Sequence, residues 1–124
     1  MHEAALAAPL LRLVLEETGR HARVKGLGLR VTRITVRAGL LMAVEAPTLR
    51  GIFALMAEGT PAQDAELSVE IETMTGSCPD CGRQNLITRS RDFHCPVCHG
   101  TNVDWKGGNE LYIASIEVQP ITDQ

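Results

Sequence analysis

Two CxxC pairs constrain this chain more than any other feature of its sequence. They read Cys78-Pro-Asp-Cys81 and Cys95-Pro-Val-Cys98, and thirteen residues separate them. Each pair presents two thiolates from one tight turn, so together they form a tetrahedral site of four sulfurs, which suits Zn²⁺. Both pairs carry Pro after the first Cys and a nearby Gly after the second, a pattern typical of the paired knuckles of a zinc ribbon. We therefore predict structural Zn(II) on four ligands: Cys78, Cys81, Cys95 and Cys98.

The segment around these cysteines, residues 75–107, has little apolar content, so we expect a small domain that needs its metal to fold. Four thiolates leave the metal no open position for catalysis. The same ligands would also suit an iron site of the rubredoxin type, and a redox role for each CxxC is the remaining alternative. His94 and His99 flank the second pair. They are either exposed loop residues or groups that exchange with a thiolate or bind a second metal, and such exchange would depend on pH.

The rest of the chain alternates between helical and extended patterns. Apolar residues recur at helical spacing over residues 4–17 and after Pro47. Alternating or β-branched residues predict strands over 29–38, 66–72 and 111–118. This order predicts an α/β fold, specifically an α+β two-layer domain with an inserted zinc-ribbon domain, because a lone last strand must return to the first sheet.

We accordingly assign residues 1–74 plus 108–124 to the α/β domain and residues 75–107 to the zinc-ribbon domain.

Several local features carry narrower expectations. Gly19 is expected to end the first helix, and residues 20–28 then form a loop. Pro9 implies that this helix either starts later than its pattern or bends. Gly59 is expected to cap the second helix at its C-terminus. The last strand is apolar on both faces, so we expect it to be central or partly covered.

Composition and charge restrict the classes of partner. The net charge is −3 and aromatic residues make up 3% of the chain, so neither general electrostatics nor base stacking favours nucleic acid. No apolar run approaches the roughly 18 residues that a membrane span needs. The N-terminal region carries no Lys or Arg before Arg12 and no signal-peptide pattern. We therefore expect a cytoplasmic protein.

The chain begins Met1-His2-Glu3, which places three nitrogen donors side by side. The α-amine and the His2 amide nitrogen close a five-membered chelate ring, and the amide with imidazole Nδ1 closes a six-membered ring. Adjacent nitrogens of this kind favour a square-planar or tetragonal metal, Ni(II) or Cu(II). Both the amine and the imidazole lose their protons near neutral pH at little cost. Glu3 offers an oxygen for a further position.

Taken together, these features resemble the HypA/HybF family of nickel-incorporation proteins for [NiFe]-hydrogenase maturation. The resemblance rests on the MHE start followed by a Leu-rich helix, the CPDCG and CPVCHG knuckles, the strand ending in Gly39, and the closing GNELYIASIEV at residues 108–118. It implies a nickel-binding α/β domain with an inserted zinc domain, and a metallochaperone that is not an enzyme.

The resemblance also implies specific ligands and partners. His2 and the Met1 amine match the family's nickel ligands, Glu3 is associated with them, and Glu45 is the nearest match to an acidic side chain that some members add. The implied partners are the GTPase HypB and the hydrogenase large subunit, and a homodimer is left open. Nickel would be transported cargo and zinc a structural metal.

This sequence departs from the family in three places. Gly39 is followed by Leu40 where the family often has Glu, only the second knuckle is followed directly by His, and the segment 20–28 looks long.

A zinc-ribbon module that binds nucleic acid or another protein is the alternative function. It predicts salt-dependent binding of RNA or DNA that is lost when Arg83, Arg89 or Arg91 is changed and is unaffected by changes at His2.

Overall fold

A computed structural model of the chain describes residues 2–121. Its elements form two three-stranded sheets, with strand orders β2-β1-β6 and β4-β3-β5. In chain order the elements are α1 (Glu3–Lys25), β1 (Leu29–Gly39), a 3₁₀ turn (Leu40–Met42), α2 (Ala46–Met56), β2 (Glu66–Glu72), β3 (Met74–Ser77), β4 (Leu86–Thr88), β5 (Asp104–Lys106) and β6 (Leu111–Pro120).

The first helix is longer than its sequence pattern predicts. It begins at Glu3 with Pro9 inside it, so a later start is wrong, and it continues through Gly19 to Lys25. The expected stop at Gly19 and the expected loop over 20–28 are therefore also wrong. One internal glycine costs only about 1 kcal/mol against alanine, which packing elsewhere in a helix offsets. The left-handed residue that ends the helix is instead Gly26, with φ 67°, whose N–H donates to the Ala22 carbonyl.

Strand β1 is the centre of the larger sheet. Two ion pairs join β1 to β2, Arg33 with Glu66 and Arg37 with Glu70. The second pair lies four residues further along both strands than the first, so β1 and β2 run in the same direction. Strand β6 runs antiparallel on the other side. Ile121 N–H donates to the Gly28 carbonyl (2.9 Å) and Gly39 N–H donates to the Glu110 carbonyl (2.7 Å), so the residue number falls along β6 as it rises along β1. The return of the last strand to the first sheet is confirmed.

The last strand lies at an edge of that sheet, so of the two alternatives expected for it, central or partly covered, the central one is wrong. None of its ten residues is buried, and three are half-buried. Its apolar composition on both faces gave no information about which side of β1 it would join.

The main core forms between the two helices and β1. Its largest fully buried side chains come from all three elements: Val14, Val31, Ile34, Val36, Leu49 and Phe53. In β2 the predicted alternation holds at Leu67, which is 5% exposed, but Ile71 is 47% exposed.

Helix α2 begins one residue before Pro47 and ends at Met56 with Ala57 as its cap, so Gly59 is not the cap. Gly59 takes a left-handed conformation (φ 77°) just beyond it.

The chain divides into two compact units. Within the described residues, unit 1 comprises 2–36, 44–69 and 113–121, and unit 2 comprises 37–43 and 70–112. Compactness does not show that either unit folds on its own, so the predicted domain boundaries stay a prediction. Within the described range, no helix is both long enough and apolar enough to cross a bilayer.

Candidate functional site

The four cysteine sulfurs of unit 2 converge on one point. All four Sγ atoms lie within 4.8 Å of one another. Cys78 Sγ is 3.6 Å from Cys98 Sγ, and Cys81 Sγ is 3.8 Å from Cys95 Sγ. A tetrahedral zinc with bonds of about 2.3 Å has sulfur–sulfur edges of about 3.8 Å. The cluster therefore fits a four-thiolate structural zinc, as the spacing predicts.

Two matching backbone turns build this cluster. In the first, Cys78 N–H donates to the Arg83 carbonyl and Gly82 N–H donates to the Cys78 carbonyl, both at 2.8 Å. In the second, Cys95 N–H donates to the Gly100 carbonyl at 2.8 Å and His99 N–H to the Cys95 carbonyl at 2.9 Å. Because the two turns repeat the same pair of bonds, they present their thiols in the same way.

The fourth position after the first cysteine of each turn is left-handed. Gly82 fills it in the first turn with φ 77°, and His99 fills it in the second with φ 62°. This backbone conformation is easy for glycine and strained for most other residues. His99 therefore accepts a strained conformation to complete its knuckle.

Backbone donors favour a thiolate at Cys95. The N–H groups of Val97 and Cys98 point at Cys95 Sγ from 3.4 and 3.5 Å. Chiefly through the Cys98 N–H, they lower the pKa of Cys95 to about 7. The Gly100 N–H lowers the pKa of Cys98, but the neighbouring thiols, first that of Cys78, together with partial desolvation outweigh it and raise that pKa to about 12. The site thus ionises one thiol readily and needs a cation to hold four thiolates together.

A small apolar cluster supports the sulfurs. Cys78 and Cys95 are buried together with Leu86, and Val103 and Trp105 pack against them. Gly76 in β3 makes room for the indole, since a Cβ there would lie 2.6 Å from Trp105 Cε3. Sequence patterns missed the sheet that carries these residues, because strands of three or four residues show too little periodicity.

His94 and His99 are both exposed, and the His94 imidazole pairs with Asp92. Within residues 2–121, the cysteines are the one group of His, Cys, Asp and Glu side chains close enough to share a metal. Neither histidine is part of that group.

The predicted nickel ligands lie in unit 1, except that Met1 falls outside the described residues. His2 is the N-cap of α1, with φ −85° and ψ 94°. Its carbonyl accepts the Ala5 N–H at 3.0 Å. Its side chain is exposed and makes no capping hydrogen bond. The imidazole is therefore not used in holding the start of the helix.

Glu3 and Glu45 meet although 42 positions separate them. The Glu45 backbone N–H donates to Glu3 Oε2 at 3.1 Å. Glu3 is only 8% exposed, and this bond is the main cause that lowers its pKa below the ordinary value. The Glu45 side chain is exposed and makes no capping bond of its own. The structure thus joins two of the predicted site residues through a main-chain donor, which residue type alone does not reveal.

Comparison with protein families gives one match over nearly the whole chain. The family model described as "Hydrogenase/urease nickel incorporation, metallochaperone, hypA" matches residues 1–118. A protein of Caldanaerobacter subterraneus subsp. tengcongensis named hydrogenase maturation factor HypA is 38% identical over 122 residues, which cover 96% of this chain and 100% of that protein. Hydrogenase maturation factor HybF of Salmonella typhimurium is 31% identical over 119 residues, with coverage of 96% and 100%.

Solved structures give the same result for the fold. The solution structure of the Ni metallochaperone HypA from Helicobacter pylori is 25% identical, with a TM-score of 0.58 and coverage of 98% of this chain and 100% of that one. A second solution structure, described as that of HypA protein, is 25% identical, with a TM-score of 0.60 and coverage of 96% and 97%. Together with the cysteine cluster, these likenesses confirm the predicted fold class.

Proposed function

Because this chain belongs to the HypA family of nickel-incorporation metallochaperones, we propose that it binds Ni(II) at its own N-terminus and delivers it for maturation of a hydrogenase large subunit. The family is one of metallochaperones and not of enzymes. The observation that carries the proposal is the exposed and uncommitted imidazole of His2 directly beside the chain terminus.

The donors form a compact chelate. The Met1 amine, the His2 amide nitrogen and His2 Nδ1 supply three adjacent nitrogens, and a carboxylate from Glu3 or Glu45 supplies oxygen. Nitrogen donors in this arrangement suit a square-planar or tetragonal Ni(II). The metal lowers the cost of removing the amide proton by taking the proton's place.

Transfer would proceed by ligand exchange. An exposed site at a chain end lets the ligands of another protein replace the chelate one at a time, without unfolding the chaperone. The zinc site has the opposite design, because four thiolates fill its coordination and two of the four cysteines are buried. We assign Cys78, Cys81, Cys95 and Cys98 to zinc as a structural metal only.

The relatives are named hydrogenase maturation factors, which supports a hydrogenase as the partner that receives the metal. We propose that the chain works with the GTPase HypB and with the [NiFe]-hydrogenase large subunit, and that it can act as a homodimer. Four cysteines that are assigned to zinc and form no disulfide are consistent with work in the reducing cytoplasm.

The test is a calorimetric nickel titration, with visible spectra, of zinc-loaded protein that begins at Met1. Wild type is compared with His2→Ala and with His21→Ala, whose imidazole is also on α1 and 52% exposed. We expect about one nickel per chain for wild type and His21→Ala and none for His2→Ala, with the zinc content unchanged. Equal binding by all three proteins would overturn the proposal.

A further inference from the structure

The N-terminus of helix α2 has no capping hydrogen bond from its own N-cap side chain, that of Glu45. In a capping box, a Glu or Gln at the third helical position accepts the N–H of the N-cap residue. Here that position is Thr48, and Pro47 before it has no N–H. The N–H of Glu45 therefore needs an acceptor from outside its own helix.

Glu3 supplies that acceptor from α1. Its Oε2 lies 3.1 Å from the Glu45 nitrogen, and its carboxylate sits where the start of α2 favours negative charge. Glu3 thus does for α2 what a capping-box glutamate would do. It also stands in the first turn of α1, next to His2.

We propose that Glu3 is a positioning residue for nickel and not one of its ligands. This inference rests on the proposed function. Glu3 is 8% exposed and already accepts a hydrogen bond, whereas a cargo metal passed to another protein needs exposed donors. Among the described residues of the proposed site, His2 and Glu45 are exposed. The hydrogen bond from the Glu45 N–H to Glu3 connects the first turn of α1 to the start of α2. It therefore fixes the position of His2 relative to Glu45 before nickel binds.

The first experiment separates positioning from ligation by varying Glu3. Glu3→Gln keeps the side-chain length and an oxygen that accepts the Glu45 N–H, while Glu3→Ala removes the acceptor. Positioning predicts that Glu3→Ala weakens nickel binding about 10- to 100-fold, with one nickel per chain and the wild-type visible spectrum. Glu3→Gln should stay within about threefold of wild type, because a neutral acceptor makes a weaker bond of the same geometry. A loss in Glu3→Gln as large as in Glu3→Ala, with a changed spectrum, would mean that Glu3 is a ligand.

The second experiment varies the donor. Glu45→Ala deletes the carboxylate and keeps the N–H, whereas Glu45→Pro deletes both. The φ of −88° at Glu45 is near the range that proline adopts. We expect Glu45→Pro to bind nickel about tenfold more weakly than Glu45→Ala, and this difference to vanish when Glu3 is also changed to Ala. A difference that persists in the Glu3→Ala background would contradict the inference.

A third measurement does not require the proline variant to fold. In zinc-loaded, nickel-free protein, hydrogen exchange of the Glu45 amide should be faster in Glu3→Ala than in wild type and nearly unchanged in Glu3→Gln. Faster exchange with unchanged nickel affinity in Glu3→Ala would overturn the positioning role and leave the proposed function standing. If His2→Ala bound nickel as tightly as wild type, the proposed function would be overturned instead. The exchange rate of the Glu45 amide would still show whether Glu3 accepts its hydrogen bond.

Discussion

Gly39 crosses Gly108 so closely that a Cβ on Gly39 would lie 2.3 Å from the carbonyl carbon of Gly108. Two hydrogen bonds of 2.7 Å fix the crossing, from Gly39 N–H to the Glu110 carbonyl and from Leu41 N–H to the Gly108 carbonyl. The end of β1 is thereby joined to the chain that leads into β6. Both glycines belong to motifs that the sequence singled out, and the crossing gives a physical reason for the small size of Gly39. Gly108 has φ 80°, and a Cβ there would lie 2.9 Å from the side chain of Met74.

Changing Gly39 to Ala should destabilise the protein. The added methyl would meet backbone, which cannot rotate away as a side chain can, so we expect a loss of about 1–3 kcal/mol in the free energy of unfolding. The matched control is Gly51→Ala in α2, where a Cβ would meet nothing within 4 Å. That change should stabilise by up to about 1 kcal/mol, because alanine is the better helix former. Urea unfolding of both zinc-loaded variants checks the prediction, and a neutral Gly39→Ala would contradict it.

Acetylating the α-amine of Met1 should remove high-affinity nickel binding. The acetyl group converts the amine into an amide, so the three-nitrogen chelate loses its free amine donor. The expected nickel affinity equals that of His2→Ala, measured by the same titration. A glycine added before Met1 is not an equivalent test, because Gly-Met-His offers a free amine, two amide nitrogens and an imidazole, which also suit square-planar Ni(II). A glycine added after Gln124 is the control and should leave binding unchanged. If the acetylated protein bound nickel like wild type, the terminal amine would not be a ligand.

Zinc removal should be visible in the fluorescence of Trp105. This residue is the single tryptophan of the chain, and it packs against the cluster of Cys78, Leu86 and Cys95. A strong chelator should release zinc, loosen the small sheet and shift the Trp105 emission to longer wavelength as the indole becomes exposed. Added zinc should reverse the shift. The His2→Ala variant should respond like wild type, and an emission spectrum indifferent to zinc loss would refute a structural role for the metal.

The contribution of Glu3 to stability should depend on pH. The Glu45 N–H lowers the pKa of Glu3 below its ordinary value of 4.5. A lowered pKa in the folded state adds stability that is complete above the ordinary value and is lost as the pH falls through the folded value. The difference in unfolding free energy between wild type and Glu3→Gln should therefore be constant near neutral pH and shrink below about 4.5. Comparing the two proteins at each pH cancels the acid lability of the zinc site, and a difference that grows on acidification would exclude the bond.

Local sequence patterns predict most of the helices and strands, because the periodicity of each element is set by residues that are close together in the sequence. The sequence predicts β1 over 29–38, and the strand ends at Gly39; it predicts β2 with its observed bounds. The predicted end of α1 is wrong because Gly19 and Gly26 look alike in sequence, and only the second takes a left-handed conformation in the fold. The three short strands around Trp105 are missed for lack of periodicity.

The sequence by itself determined the four-thiolate centre, since the CxxC spacing requires two turns of two thiols, and soft sulfur ligands suit zinc. It also determined the donors available at Met1-His2-Glu3, because these are covalent neighbours. Only the tertiary structure decided that β6 lies at a sheet edge, that Gly39 must pass Gly108, and that Glu3 accepts the N–H of Glu45. Two of these contacts join residues that are 42 or more positions apart, and the third depends on which side of β1 the last strand joins. A local pattern of side chains does not show which distant backbone group will need a hydrogen-bond partner.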